Sequence, residues 1–117
     1  MAVRALGADI LVPDLAGWRR ERFPVADGSN WIGTVPDWAA EILSPGTVRT
    51  DRIRKMAIYA REGVPFLWLL DPDARTLEIF RREASSWLLL SVHGDGGTVR
   101  AEPFSDIEID LDLLWLD

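Results

Sequence analysis

A mixed α/β domain, one β-sheet with a flanking helix, is the architecture this sequence predicts, and three observations predict it. Short apolar segments recur along the 117 residues, with turn-forming residues between them. One stretch, Ile53 to Ala60, carries its apolar residues at helical spacing. That stretch follows two strand-like segments and precedes a run of others, an order that builds a sheet with a helix packed on it.

The elements follow in order. Ala8 to Ala16 is apolar except for Asp9 and Asp14, and reads as a strand broken near Pro13, which cannot donate to a ladder. Arg19 to Asn30 is polar and contains Pro24 and Gly28, so a loop is expected. Asp37 to Leu43 is a second strand, ended by Ser44-Pro45-Gly46. Thr50 or Asp51 can cap the helix, Ile53, Met56, Ala57 and Ala60 form its apolar stripe, and Gly63 ends it. Phe66 to Leu70 is nearly all apolar, as in a strand covered on both faces. Asp71-Pro72-Asp73-Ala74 is a turn, and Thr76 to Arg82 returns antiparallel. Trp87 to Val92 is another strand, and Val99 to Ala101 a short one. Ile107 to Ile109 leads into a last helix, Leu111 to Trp115. No repeat, low-complexity tract or linker interrupts this pattern, so residues 1–117 are expected to form a single domain.

Bulk properties exclude several classes. Hydrophobic residues make up 48% of the chain, too many for a disordered one. No apolar run reaches the ~18 residues of a membrane span, and the first residues lack the pattern of a signal peptide. With no cysteine there is no disulfide, thiol nucleophile or cysteine-ligated zinc, and a cytoplasmic location is expected. The net charge of −6 argues against a broadly basic nucleic-acid surface. It leaves room for local clusters at Arg19, Arg20 and Arg22 and at Arg49, Arg52, Arg54 and Lys55, which otherwise read as solvated faces. His93 is the single histidine, and it is expected in a surface loop before Gly94-Asp95-Gly96-Gly97. No G-x-S-x-G elbow accompanies it. Chemistry must therefore rest on carboxylates, a lysine or a bound metal.

Asp14 and Glu41 sit in segments otherwise built of apolar residues. An ionised carboxylate is costly to bury unless it is paired or ligates a cation. Two such acids converging from neighbouring strands would form a hard oxygen site suited to magnesium. Asp37 cannot replace Asp14 as Glu41's partner, because four strand residues span ~13 Å at about 3.3 Å each. Asp37 reads instead as a strand-end acid. Structural hydrogen bonding remains the plain alternative for Asp14 and Glu41.

Lys55 is the only lysine beside twelve arginines. A compact ammonium suits orienting a water or stabilising a phosphorane. Yet Lys55 lies ~150° around the helix from the apolar stripe at about 100° per residue, on the face of Asp51, Tyr59 and Glu62. A surface Asp51–Lys55 pair is the competing reading, and the residues alone leave the two in balance.

Taken together, these pieces resemble the Uma2 family of bacterial endonucleases, in the PD-(D/E)XK restriction-endonuclease-like superfamily. The resemblance rests on Pro13-Asp14-Leu15, Pro36-Asp37, Ala40-Glu41-Ile42-Leu43-Ser44-Pro45, Arg49 to Asp51, Lys55, Tyr59, Gly63-Val64 and Trp68-Leu69-Leu70-Asp71-Pro72. It implies a restriction-endonuclease-like core. It also implies a metal site in which Asp14, Glu41 and the main-chain carbonyl of Ile42 hold Mg2+ or Mn2+, and catalysis by Asp14, Glu41 and Lys55. In a standard E-x-K element the lysine would stand where this chain has Leu43. The pattern resembles a migrated arrangement in which the helix supplies it as Lys55. Family members carry a further N-terminal region, whereas here the PD element arrives at residue 13, as in a shortened member.

The leading expectation is thus a magnesium-dependent endonuclease that hydrolyses DNA, assembling as a homo-oligomer, at least a dimer, because a shortened sheet leaves an edge to pair. The alternative is a catalytically inactive remnant of the nuclease fold that serves as a binding or oligomerisation module. A two-carboxylate glycosidase is less favoured, since it gives Lys55 no role.

Overall fold

The computed structural model describes residues 3–4, 10–11, 13–22, 35–44 and 48–115. Its strands are β1 (Val3–Arg4), β2 (Ile10–Leu11), β3 (Leu15–Gly17), β4 (Trp38–Ile42), β5 (Phe66–Asp71), β6 (Thr76–Glu83), β7 (Ser86–Gly94), β8 (Thr98–Val99) and β9 (Ile109–Asp110). Among the described residues two α-helices, α1 (Val48–Glu62) and α2 (Leu111–Leu114), accompany them. A 3-10 turn over Arg20–Arg22 falls inside the loop expected from Arg19 to Asn30, whose residues 23–30 lie outside the described residues. The mixed α/β class holds, and the architecture refines it. A five-stranded sheet in the order β3-β4-β5-β6-β7 forms the body, and β1-β2 and β8-β9 form separate two-stranded ribbons.

The expected break near Pro13 falls between β2 and β3. From there β3 runs antiparallel to β4. The chain then leaves β4, passes through α1 and returns as β5 parallel to β4, which is why a helix must lie on one face of the sheet. The remaining pairs, β5-β6 and β6-β7, are antiparallel. Tight turns make these returns possible. After β5, the Asp71 carboxylate accepts from the Asp73 and Ala74 amides at 3.0 and 3.1 Å, a side-chain mimic of a backbone turn. Gly63 adopts φ +84 at the end of α1. This left-handed turn lets the Gly63 amide reach Ala60 and the Val64 amide reach Tyr59, satisfying carbonyls the helix leaves open.

Each face of the sheet has its own core. On the α1 face, Ala39, Leu67, Leu69 and Phe80 pack with Ile58, Tyr59 and Val64. On the other face, Ala40, Trp68, Leu70, Leu77 and Ile79 pack with Ala101 and Leu111 from the C-terminal segment. The strand predicted to be covered on both sides is β5, and Leu67 to Leu70 are all buried.

Helix α1 departs from expectation in two ways. It begins at Val48, ahead of the Thr50 or Asp51 cap. The apolar stripe is also only half inward: Ala60 is buried and Met56 packs against the core, but Ile53 is 63% exposed and Ala57 is exposed, while Ile58 and Tyr59, outside the stripe, are buried. Arg52, Lys55, Met56 and Tyr59, at i, i+3, i+4 and i+7, line the side turned to the sheet. Lys55 therefore faces inward, not away from the core. His93 lies in β7 and not in a loop, half-buried with its Nε2 3.0 Å from the Ser91 hydroxyl. The strand simply runs further than its apolar residues.

Candidate active site

Alternation along β4 decides which of its side chains meet the helix. Ala39 joins the core under α1, Ala40 joins the opposite core, and Glu41 returns to the α1 side. Glu41 is 4% exposed, the one buried charged residue among those described. Two donors from α1 meet it. The Tyr59 hydroxyl donates to Oε1 at 2.5 Å, and the Lys55 amine donates to Oε2 at 3.3 Å. Tyr59 and Lys55 are four apart, so one helical turn places both over the same carboxylate.

Asp14 stands just ahead of β3. The register pairs Leu15 with Ala40, so one step further along the antiparallel ladder sets Asp14 against Glu41, on the same face. Its Oδ2 accepts the Ile42 amide at 2.7 Å, which anchors the exposed acid to the end of β4. The two carboxylates are close enough that Asp14 acts on Glu41 through both its charge and a hydrogen bond.

Burial, above all, raises the Glu41 pKa from its ordinary value of 4.5, and the neighbouring Asp14 adds to the rise. The Tyr59 hydrogen bond and the Lys55 charge oppose it. Two acids this close need a counter-charge or a shared proton. The donor set is all oxygen and hard, and fits magnesium or manganese. Among the described residues no group of three or more His, Cys, Asp or Glu gathers as a metal site. The acids form a pair, and main-chain or water oxygens would have to complete an octahedron, which magnesium commonly accepts. A small cavity of about 30 Å³ lies beside Glu41, bordered by Ile42, Ser44, Arg52, Lys55 and Tyr59. It has room for roughly one or two waters.

The same row of the sheet continues outward. Glu41 pairs across to Leu69, and Leu69 to Glu78. Glu78 takes Arg52 of α1 at 3.0 Å. Arg52 and Lys55, expected on a solvated face, thus each hold a sheet carboxylate. Asp37 sits just before β4, as its strand-end reading required. It pairs with Arg22 and accepts the Arg19 amide at 2.7 Å, so part of the first arginine cluster fixes a loop. A larger cavity of about 470 Å³ opens at the far end of β4, walled by Trp18, Trp38, Phe66 and Phe104. None of the predicted site residues lines it.

Asp14, Glu41, Ile42 and Lys55 are therefore brought together. Tyr59 is the functional candidate that residue-by-residue reasoning passed over. Its signal was present, since it lies one turn beyond Lys55 on the same side of α1.

This arrangement, a mixed sheet with a β–α–β crossover carrying acids beneath its helix, is that of a nuclease-like α/β fold. The model of the Uma2 family, described as "Putative restriction endonuclease", matches residues 2–113, and the chain belongs to that family. Among solved structures, the chain is similar to a putative nuclease belonging to DUF820 from Anabaena variabilis, with a TM-score of 0.74 and 24% identity. The match covers 97% of this chain and 64% of that one, so the chain spans about two thirds of its length. At that identity the likeness establishes the fold. No curated protein matches the chain.

Proposed function

We propose that this chain carries the core of a metal-dependent endonuclease that hydrolyses DNA phosphodiester bonds. The observation that supports the reading is the meeting of Asp14, Glu41 and Lys55 on one side of the sheet, with the Lys55 amine on the Glu41 carboxylate. Asp14 and Glu41, with the main-chain carbonyl of Ile42, would hold Mg2+ or Mn2+. When bound, such an ion polarises the phosphodiester and lowers the pKa of a water. Asp14 stays fixed by the Ile42 amide, so its second oxygen is presented from a held geometry. Lys55 orients the attacking water or stabilises charge building on the phosphate, as a mobile point charge can. A DNA substrate is supported by the family description.

No helix among the described residues is long and apolar enough to cross a membrane, and the cysteine-free chain suits a reducing cytoplasm. Assembly as a homodimer is supported by β7. This nine-residue edge strand carries no Asp, Glu, Lys or Arg, and it exposes Leu88, Leu89 and Val92. Charge is the usual protection of such an edge.

Cleavage of a DNA duplex in Mg2+ or Mn2+, with and without chelator, tests the proposal. Lys55→Ala should slow the cleavage step roughly 10²–10³-fold without weakening the affinity for the ion. Metal-independent cleavage, or an unchanged rate in Lys55→Ala, would remove the assignment.

A further inference from the structure

We propose that Tyr59 is the positioning residue of this site: it fixes one oxygen of Glu41 and leaves the other, now shared with Lys55, as the oxygen a divalent cation takes. The inference rests on the cation-site reading above and adds a division of labour between the two helix donors.

The geometry distinguishes them. Tyr59 is 2% exposed, packed in the core with Ala39, Leu67 and Leu69. Its ring cannot move without disturbing that core, and its hydroxyl sits 2.5 Å from Oε1. Lys55 is 26% exposed at its side chain and sits at 3.3 Å from Oε2. A lysine on a flexible, partly exposed stem can swing away, whereas a tyrosine locked by packing cannot. A cation approaching Glu41 therefore competes with Lys55 and not with Tyr59. Displaced from Oε2, the ammonium would still border the cavity beside Glu41, where a substrate phosphate or water would lie. Hydrogen-bond partners that orient a ligating side chain are worth tenfold or more in metal affinity.

The two donors thus have opposite effects on cation binding. Removing the Tyr59 hydroxyl loosens the ligand. Removing the Lys55 amine takes away a competitor of like charge.

Calorimetric titration of Mn2+ into the full chain separates them, with circular dichroism to show that each variant is folded. Tyr59→Phe should raise the dissociation constant about tenfold or more. Lys55→Met should leave it unchanged or lower it. Wild-type affinity in Tyr59→Phe, beside a Glu41→Gln that has lost affinity, overturns the inference and leaves the cation site standing. Wild-type affinity in Glu41→Gln removes the site itself, and the inference with it. Should Tyr59→Phe fail to fold, Lys55→Met decides alone. Weaker Mn2+ binding in that variant would make the lysine a support of the site and overturn the proposal, and equal or tighter binding upholds it.

Discussion

The two faces of the five-stranded sheet are built from the same strands and do opposite things. Under the C-terminal segment, Trp38, Trp68 and Phe104 meet edge to face at 5.1–5.6 Å between ring centres, and Leu77, Ile79 and Leu111 close the layer. Under α1, the apolar layer is interrupted by Glu41 and Glu78, each held by a basic residue of the helix. One face follows the rule that interiors are apolar. The other departs from it where two acids must be held in place, and such departures mark function more often than they add stability. Both faces carry an apolar core, but held acids lie only on the α1 face, so the two faces should respond to different substitutions.

The sharpest way to break this division is to cut into the apolar face. Trp68 is 6% exposed, and its indole donates to the Glu102 carbonyl at 2.7 Å. Trp68→Ala should cost about 3–5 kcal/mol in denaturant unfolding. The fraction that remains folded should bind Mn2+ like the wild type. A loss of under ~1 kcal/mol would show that this face is not the main source of stability.

An intermediate effect, of opposite sign, is expected on the α1 face. The Glu41 pKa is raised by burial. Between the ordinary carboxyl value and the raised one, the folded chain holds a proton that the unfolded chain has released. Stability from this group is therefore present at low pH and lost as pH rises through that window. Glu41→Gln removes the buried charge. Without divalent ions, its melting temperature should exceed the wild type's by a few degrees at neutral pH. The advantage should vanish as pH falls through the usual carboxyl range. A variant less stable than wild type at neutral pH would mean that Tyr59 and Lys55 outweigh desolvation.

The smallest effect is expected from Arg52 and Glu78, a pair still partly open to solvent. Arg52→Ala should change stability by only ~0.5 kcal/mol, measured by denaturant unfolding, and less at high salt. A loss several times larger would place this pair with the structural face.

Much of this was legible in the residues themselves. Asp14 and Glu41 stood out as acids among apolar neighbours, and the structure brings the two near each other at the end of β4. Gly63 and Asp71 announced their turns through backbone and side-chain chemistry that acts locally. The inward face of α1 was not legible by the same means. Periodicity assigns a helix's core face to its apolar residues, and Ile53 and Ala57 satisfied that rule while remaining exposed. The buried side of α1 is the one that packs Ile58, Tyr59 and Ala60 on the sheet, and the same side brings Arg52 and Lys55 to Glu78 and Glu41, a pairing that exists only once β4 and β6 stand on either side of β5. His93 was misplaced for a milder reason, because Gly94 can end a strand as readily as it can begin a loop.

The register of β4 against β5, which sets Glu41 opposite Leu69, has a kinetic consequence. A slip of one residue would turn Glu41 toward the tryptophans and present Ala40 to the helix. Such a misregistered chain could collapse and bury much the same apolar area, yet it would have no carboxylate beneath Tyr59 and Lys55. Recovery of the proposed ion site during refolding would then report correct strand pairing, where recovery of tryptophan fluorescence would report collapse. Any lag between the two signals would time the search for register in this sheet.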